Sequence, residues 1–164
     1  MNQRPRSGVD TQPGTAWSLA DILRDWHFQV VLGAAIPIGL LWVWWIAPQA
    51  EALDVDFTSL AAFVIVFPLL EELVFRGLIQ RALLKKPFGR RRFGPVTVAN
   101  AVTTSLFAIA HLPRGGPLLA AGVITPGIVL GYFLERHQRL VSPIILHMSF
   151  NLVVAISFVA LGRA

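Results

Sequence analysis

Apolar residues fall into five long blocks: Phe28 to Ala47, Phe57 to Ala82, Pro95 to Leu112, Leu118 to Leu134 and Pro143 to Leu161. At about 1.5 Å of rise per residue, about 20 apolar residues match the hydrocarbon thickness of a bilayer. The pattern therefore predicts an all-α polytopic membrane helix bundle with about five transmembrane helices, spanning 28–47, 57–82, 95–112, 118–134 and 143–161. Residues 1–26 are polar, and Pro5, Gly8, Pro13 and Gly14 break any early helix, so this stretch reads as a cytoplasmic tail. Within it, Thr15 or Ser18 is placed to cap a short interfacial helix through Trp26. Trp42, Trp44 and Trp45 near one end of the first block suit an aromatic belt. A cleaved signal peptide competes for that block, because Ala50-Glu51-Ala52 loosely resembles a cleavage site. The long preceding segment with Asp21 and Asp25, and an apolar stretch of about twenty residues, argue against it. In the fourth block, Gly127-x-x-x-Gly131 permits close helix approach, and Pro126 predicts a kink.

Charge then orients the blocks. Segments assigned to one side hold Arg4, Arg6 and Arg24, the six basic residues from Arg81 to Arg92, then Arg136 and Arg139; the other side holds Arg114 and Arg163. Eleven against two places the N-terminus in the cytoplasm and the C-terminus outside, in an integral membrane protein assigned to a bacterial inner membrane. The net charge of +5 is thereby topogenic and calls for no nucleic-acid partner. Hydrophobic residues make up 55% of the 164-residue chain, more than a soluble domain of that length carries. The absence of cysteine excludes disulfides and thiolate chemistry.

Against this background, the ionisable residues inside the blocks need a reason. Each such group costs at least about 2.5–3.5 kcal/mol at a helix centre. Glu71, Glu72 and Arg76 lie within a turn and a half. Glu72 and Arg76 are spaced i,i+4 and share a face, so they can pair. Glu71 lies about 100° further round and has Phe75 as its i+4 neighbour, so it lacks a local counter-ion. Such a group stays protonated or is held by partners from other helices. Phe107 precedes His111 by one turn on the third block, and His147 precedes Asn151 by one turn on the fifth. Asn100, Thr103, Thr104 and Ser105 suit helix–helix hydrogen bonding. Singly, each residue has a structural reading: a satisfied histidine, a buried ion pair, an asparagine tying two helices. Together they place a carboxylate, two histidines and an amide on three helices in lipid.

Glutamate, two histidines and asparagine suit hydrolysis by activated water. A buried glutamate serves as general base, one histidine holds the water with it, and donors on His147 and Asn151 stabilise the oxyanion. The same groups also suit a two-histidine, one-carboxylate metal site, with zinc held by Glu71, His111 and His147. Spacing leaves both open. Ser149 is two residues from His147 and faces elsewhere on the helix.

The three motifs, Glu71-Glu72-x-x-x-Arg76, Phe107-x-x-x-His111 and His147-x-x-x-Asn151, resemble in order and spacing those of the CPBP family. These are the CAAX protease and bacteriocin-processing (Abi) intramembrane endopeptidases. The resemblance covers about residues 60–160 and implies a transmembrane protease domain over 27–164. It implies that Glu71 is the catalytic base, that His111 positions the water, and that His147 and Asn151 form the oxyanion hole. Glu72, Arg76 and Phe107 would support them. It further implies a glutamic mechanism without a cofactor, acting on a membrane protein or peptide in the lipid bilayer. Family members commonly have around eight spans, so a homo-oligomer or a helper membrane protein would supply the flanking helices. A non-catalytic immunity or chaperone module of the same fold is the reading from another class, and an ion carrier is a weaker one. One geometric condition follows from the block limits: His111 lies about 24 Å along its helix from Pro95. It meets Glu71 only if that helix tilts strongly or starts outside the hydrocarbon.

Overall fold

The computed structural model describes residues 17–46 and 56–160. Thr15, the Ala50-Glu51-Ala52 segment, Arg163 and most of the polar tail lie outside the described residues. Among the described residues, six helices follow one another: α1 (Leu19–Arg24), α2 (Trp26–Ile46), α3 (Phe57–Leu84), α4 (Val98–Gly122), α5 (Ile124–His137) and α6 (Val141–Ala160). Ser18 caps α1, accepting from the Asp21 backbone while Asp21 accepts from the Ser18 backbone, a reciprocal capping box. Between α3 and α4 the basic segment forms a 3-10 turn (Phe88–Arg90) and a short hairpin of β1 (Arg92–Phe93) with β2 (Val96–Thr97). The fold is an all-α polytopic membrane bundle.

Helix α3 departs twice from regular winding. Over Ala62–Val66 it takes the wider π form, with the Phe67 amide bonded to the Ala62 carbonyl. Pro68, next along, has no N–H to donate, so the Phe63 carbonyl is left for another partner. A second wide-wound stretch covers Leu73–Gln80 and carries Arg76 and Gln80, both fully buried.

The third and fourth apolar blocks differ from expectation. Among the described residues, three helices are long and apolar enough to cross a membrane (α2, α3 and α6), or four if α4 and α5 form one bent span, against the five expected. Helix α4 starts at Val98, capped by Thr97, and continues past Leu112 to Gly122 with non-helical backbone at Gly115 and Gly116. Gly116 sits at φ 64°, which favours glycine. Helix α5 has 14 residues, about 21 Å of rise, too short to cross the hydrocarbon alone. It turns through 76° from α4. Pro126 sits in the first turn of α5, where its missing N–H removes no helical bond, so the expected kink is not needed.

Helix ends gather at one end of the bundle. Glu135 near the end of α5 accepts from Gln80 near the end of α3 at 2.9 Å and from Thr97 at the start of α4 at 2.6 Å. Asp25, just before α2, accepts from Arg136 at 2.6 Å and lies 2.9 Å from His137 Nε2. This end holds the basic segment and is called the basic end below. An apolar cluster of Ile22, Phe28, Leu130, Phe133 and Leu146 packs α1, α2, α5 and α6 together beside it. Burial opposes the charge of Asp25, but hydrogen bonds from Arg136, His137 and the His27 backbone outweigh it and hold the carboxyl well below the usual carboxylate range.

Candidate active site

The motif residues converge where α3, α4 and α6 meet. Glu72 is fully buried and, as its i,i+4 spacing predicts, faces Arg76, with Nε 3.5 Å from Oε2. Its other oxygen lies 2.8 Å from His147 Nδ1 on α6. His147 Nε2 points the opposite way and lies 3.7 Å from Glu71 Oε2. The His147 imidazole therefore stands between the two adjacent carboxylates, because the helical twist that separates Glu71 from Glu72 opens a slot for one ring.

Phe107 forms the floor. Its ring meets Phe75 edge-on at 5.1 Å, His111 at 4.4 Å and His147 at 5.8 Å between centroids. The Arg76 guanidinium lies over it at 5.0 Å. The one-turn spacing to His111 has a second use: His111 Nδ1 donates to the Phe107 carbonyl at 2.8 Å, which leaves Nε2 free to accept.

Glu71 lacks a partner on its own helix, as the spacing implies, and finds one across the bundle. Arg114 donates to its Oε1 at 2.5 Å and lies over the Phe67 ring at 5.5 Å. Arg114 stands at the break in α4, between Pro113 and Gly115, and was not among the residues singled out from sequence; a charge inside a Pro-Arg-Gly-Gly-Pro break was the available signal. Asn151 donates to the Phe63 carbonyl at 2.8 Å, the group that Pro68 leaves open on α3. One of its two N–H groups is thus engaged. Ser149 bonds back to Ile145 on its own helix and faces away from the carboxylates.

The depth condition resolves through the helix limits. Glu71 is thirteen residues from the end of the α3 span at Leu84, and His111 is thirteen residues from the start of α4 at Val98. Both sit about 20 Å from the basic end. Neither a strong tilt nor an early start is needed, because α3 runs past Ala82 and the hairpin occupies residues before Val98. Among the described residues, no three His, Cys, Asp or Glu side chains are grouped as metal ligands would be.

A family model described as type II CAAX prenyl endopeptidase Rce1-like matches residues 53–153. The chain belongs to the Rce1-like family. The match runs from before α3 to within α6 and takes in every motif residue named above. Rce1-like proteins are CAAX-type intramembrane proteases, so the carboxylate–imidazole arrangement lies in a hydrolase that acts within the bilayer. Comparison with curated proteins and with solved structures gives no match.

Proposed function

We propose that this Rce1-like protease hydrolyses a peptide bond in a membrane-associated protein or peptide with water activated by Glu71 and His111. The observation that carries the reading is the His147 ring held between Glu71 and the fully buried Glu72. Glu71 is the carboxylate with access: its side chain is 14% exposed, against 0% for Glu72. It accepts the proton as the water oxygen adds to the scissile carbonyl carbon. His111, with Nε2 free, holds that water. His147, which must carry a proton on Nε2 as well as the one that its Nδ1 shares with Glu72, and the remaining N–H of Asn151 donate to the developing oxyanion. Collapse of the intermediate breaks the C–N bond, and the proton held by Glu71 passes to the leaving amine. Glu72 and Arg76 fix the His147 ring rather than react. The basic end faces the cytoplasm by the positive-inside rule, and no metal takes part.

The test uses purified protein in lipid vesicles with a prenylated CAAX-type peptide. Cleavage that persists in strong chelators and is abolished by His111→Ala, with the variant still inserted and folded, supports the reading. Loss of cleavage on chelation, restored by zinc, would overturn the glutamic mechanism. Undiminished cleavage by His111→Ala would remove its assigned role.

A further inference from the structure

From the active site a line of polar side chains runs back to the basic end between α3, α4 and α5. Arg76 donates to the Gly127 carbonyl at 2.9 Å. Thr104 donates to Asn100 at 3.1 Å, and Asn100 to the Ile128 carbonyl at 2.9 Å. Gln80 donates to the Gly131 carbonyl at 3.1 Å and to Glu135. Glu135 then meets Arg92, 3.4 Å away and 58% exposed, where the line reaches the surface. Gly127 and Gly131 make room for it. A Cβ at Gly127 would stand 2.9 Å from Thr104 and 3.6 Å from the Arg76 guanidinium, and one at Gly131 would collide with the Asn100 carboxamide. The Gly-x-x-x-Gly spacing thus admits polar side chains between helices, beyond letting backbones approach.

Apart from Arg76 Nε, which faces the Glu72 carboxylate, three atoms along this seam have no hydrogen-bond partner among the described residues: Gln80 Oε1, Thr103 Oγ1 and Arg76 Nη1. All three residues are fully buried. Arg76 lies over Phe107, and in an antiparallel helix pair Thr103, four residues before Phe107, falls near the level of Gln80, four residues after Arg76. A buried carbonyl oxygen, a hydroxyl and a guanidinium N–H left open in this way call for a ligand that both donates and accepts. Water is that ligand.

We propose that the seam between α3, α4 and α5 holds bound water and resupplies the site from the basic end. The supply role rests on the hydrolytic reading above, since each turnover at Glu71 consumes one water in a lipid-enclosed site. Thr103 and Gln80 are positioning residues for that water and touch neither substrate nor reacting atoms.

Two measurements on the full chain in vesicles test it. The first uses the Glu71→Gln protein, so that hydration is read apart from turnover. Brief X-ray radiolysis makes hydroxyl radicals from bound water, and mass spectrometry reads their attachment to nearby rings. Phe107 and Phe133 are almost equally buried, at 2% and 1% exposure, but Phe133 lies in the apolar cluster. The proposal predicts labelling of Phe107 at least five-fold above Phe133, reduced several-fold by Thr103→Val. Equal labelling of the two rings overturns the bound water. The second measurement is cleavage: Thr103→Val keeps the volume, removes the hydroxyl, and should lower kcat about ten-fold at unchanged KM, with Thr103→Ser restoring it. A Thr103→Val protein with unchanged labelling and unchanged kcat overturns the seam as the supply route. Absence of cleavage by the wild type would overturn the proposed function alone, and the labelling comparison would then decide whether the seam is hydrated.

Discussion

Replacing Arg76 by leucine removes a guanidinium that the fold surrounds completely. Its contributions differ in size. The hydrogen bond to the Gly127 carbonyl belongs to a class that averages about 0.6 kcal/mol and reaches about 1.7 kcal/mol in membrane bundles. Its position over Phe107 is worth about 0.5–2 kcal/mol. Removing one partner of a buried ion pair costs about 3–5 kcal/mol, and this loss dominates even though His147 keeps its contact with the other Glu72 oxygen. At 3.5 Å, with neither Arg76 Nε nor Glu72 Oε2 hydrogen-bonded, the pair acts through charge rather than through a directed bond. Arg76→Leu should therefore destabilise by about 3–5 kcal/mol, the overlapping losses not being additive. Glu72→Leu should cost about the same, by stranding Arg76. The double variant should be more stable than either single one, because an apolar pair of similar volume replaces a buried ion pair almost without loss. Equilibrium unfolding in mixed micelles, followed by tryptophan fluorescence, gives all four corners of the cycle. Single-variant losses that simply add in the double variant would refute the buried-pair argument. The double variant should still fail to cleave, since His147 loses the carboxylate that holds its Nδ1.

Other substitutions test separate parts of the account. Gly131→Ala drives a methyl group into the Asn100 carboxamide and should cost about 1–3 kcal/mol by overpacking, most of it recovered in the Gly131→Ala/Asn100→Ala pair; unfolding midpoints report both. Asn151→Ala reopens the Phe63 carbonyl and should cost about 0.6–1.7 kcal/mol. A fall in kcat of about 10²–10³ alongside would report its oxyanion role, whereas unchanged kcat would confine Asn151 to joining α6 to α3. Asp25 has its carboxyl depressed in the folded protein despite burial, by Arg136, His137 and the His27 backbone. Its stabilisation is therefore fully present above the unfolded value of about 4 and is lost as pH falls through the lower folded value. Thermal unfolding from pH 6 downwards should show a falling Tm that Asp25→Asn flattens; an identical acid profile in the variant would contradict the cluster's role.

The helices were legible because each apolar block is long and its interruptions are marked by Pro, Gly or charge. So was the Glu72–Arg76 pair, since i,i+4 spacing is a local property of any helix. The Phe107-x-x-x-His111 spacing pointed to a shared face, and the structure adds that the same spacing fixes the His111 tautomer through the Phe107 carbonyl. What remained hidden depends on contacts between helices. Arg114 lies 43 residues from Glu71, and nothing in the spacing of either says that they meet. The break that Pro113 and Pro117 mark is present as a kink at Gly115 and Gly116, but helical winding resumes beyond it to Gly122, where the chain bends again, so the limits of the third and fourth blocks shift. The polar residues on α4 were legible as helix glue, but Gln80 was missed, and the size of Gly127 and Gly131 acquires its meaning only once Arg76, Thr104 and Asn100 are seen to fill the space. Asp25 and His137 are 112 residues apart, and their pairing likewise follows from the gathering of helix ends.

The most direct test of the account is cleavage of a prenylated CAAX-type peptide by the Glu71→Gln protein in vesicles. Glutamine keeps the size of the side chain and its contact with Arg114 through an amide oxygen, but cannot take a proton from water. The account predicts an inserted, folded protein that binds the peptide and cleaves it at less than about one hundredth of the wild-type rate, the low end of what a general base supplies. Cleavage at the wild-type rate by Glu71→Gln would contradict it.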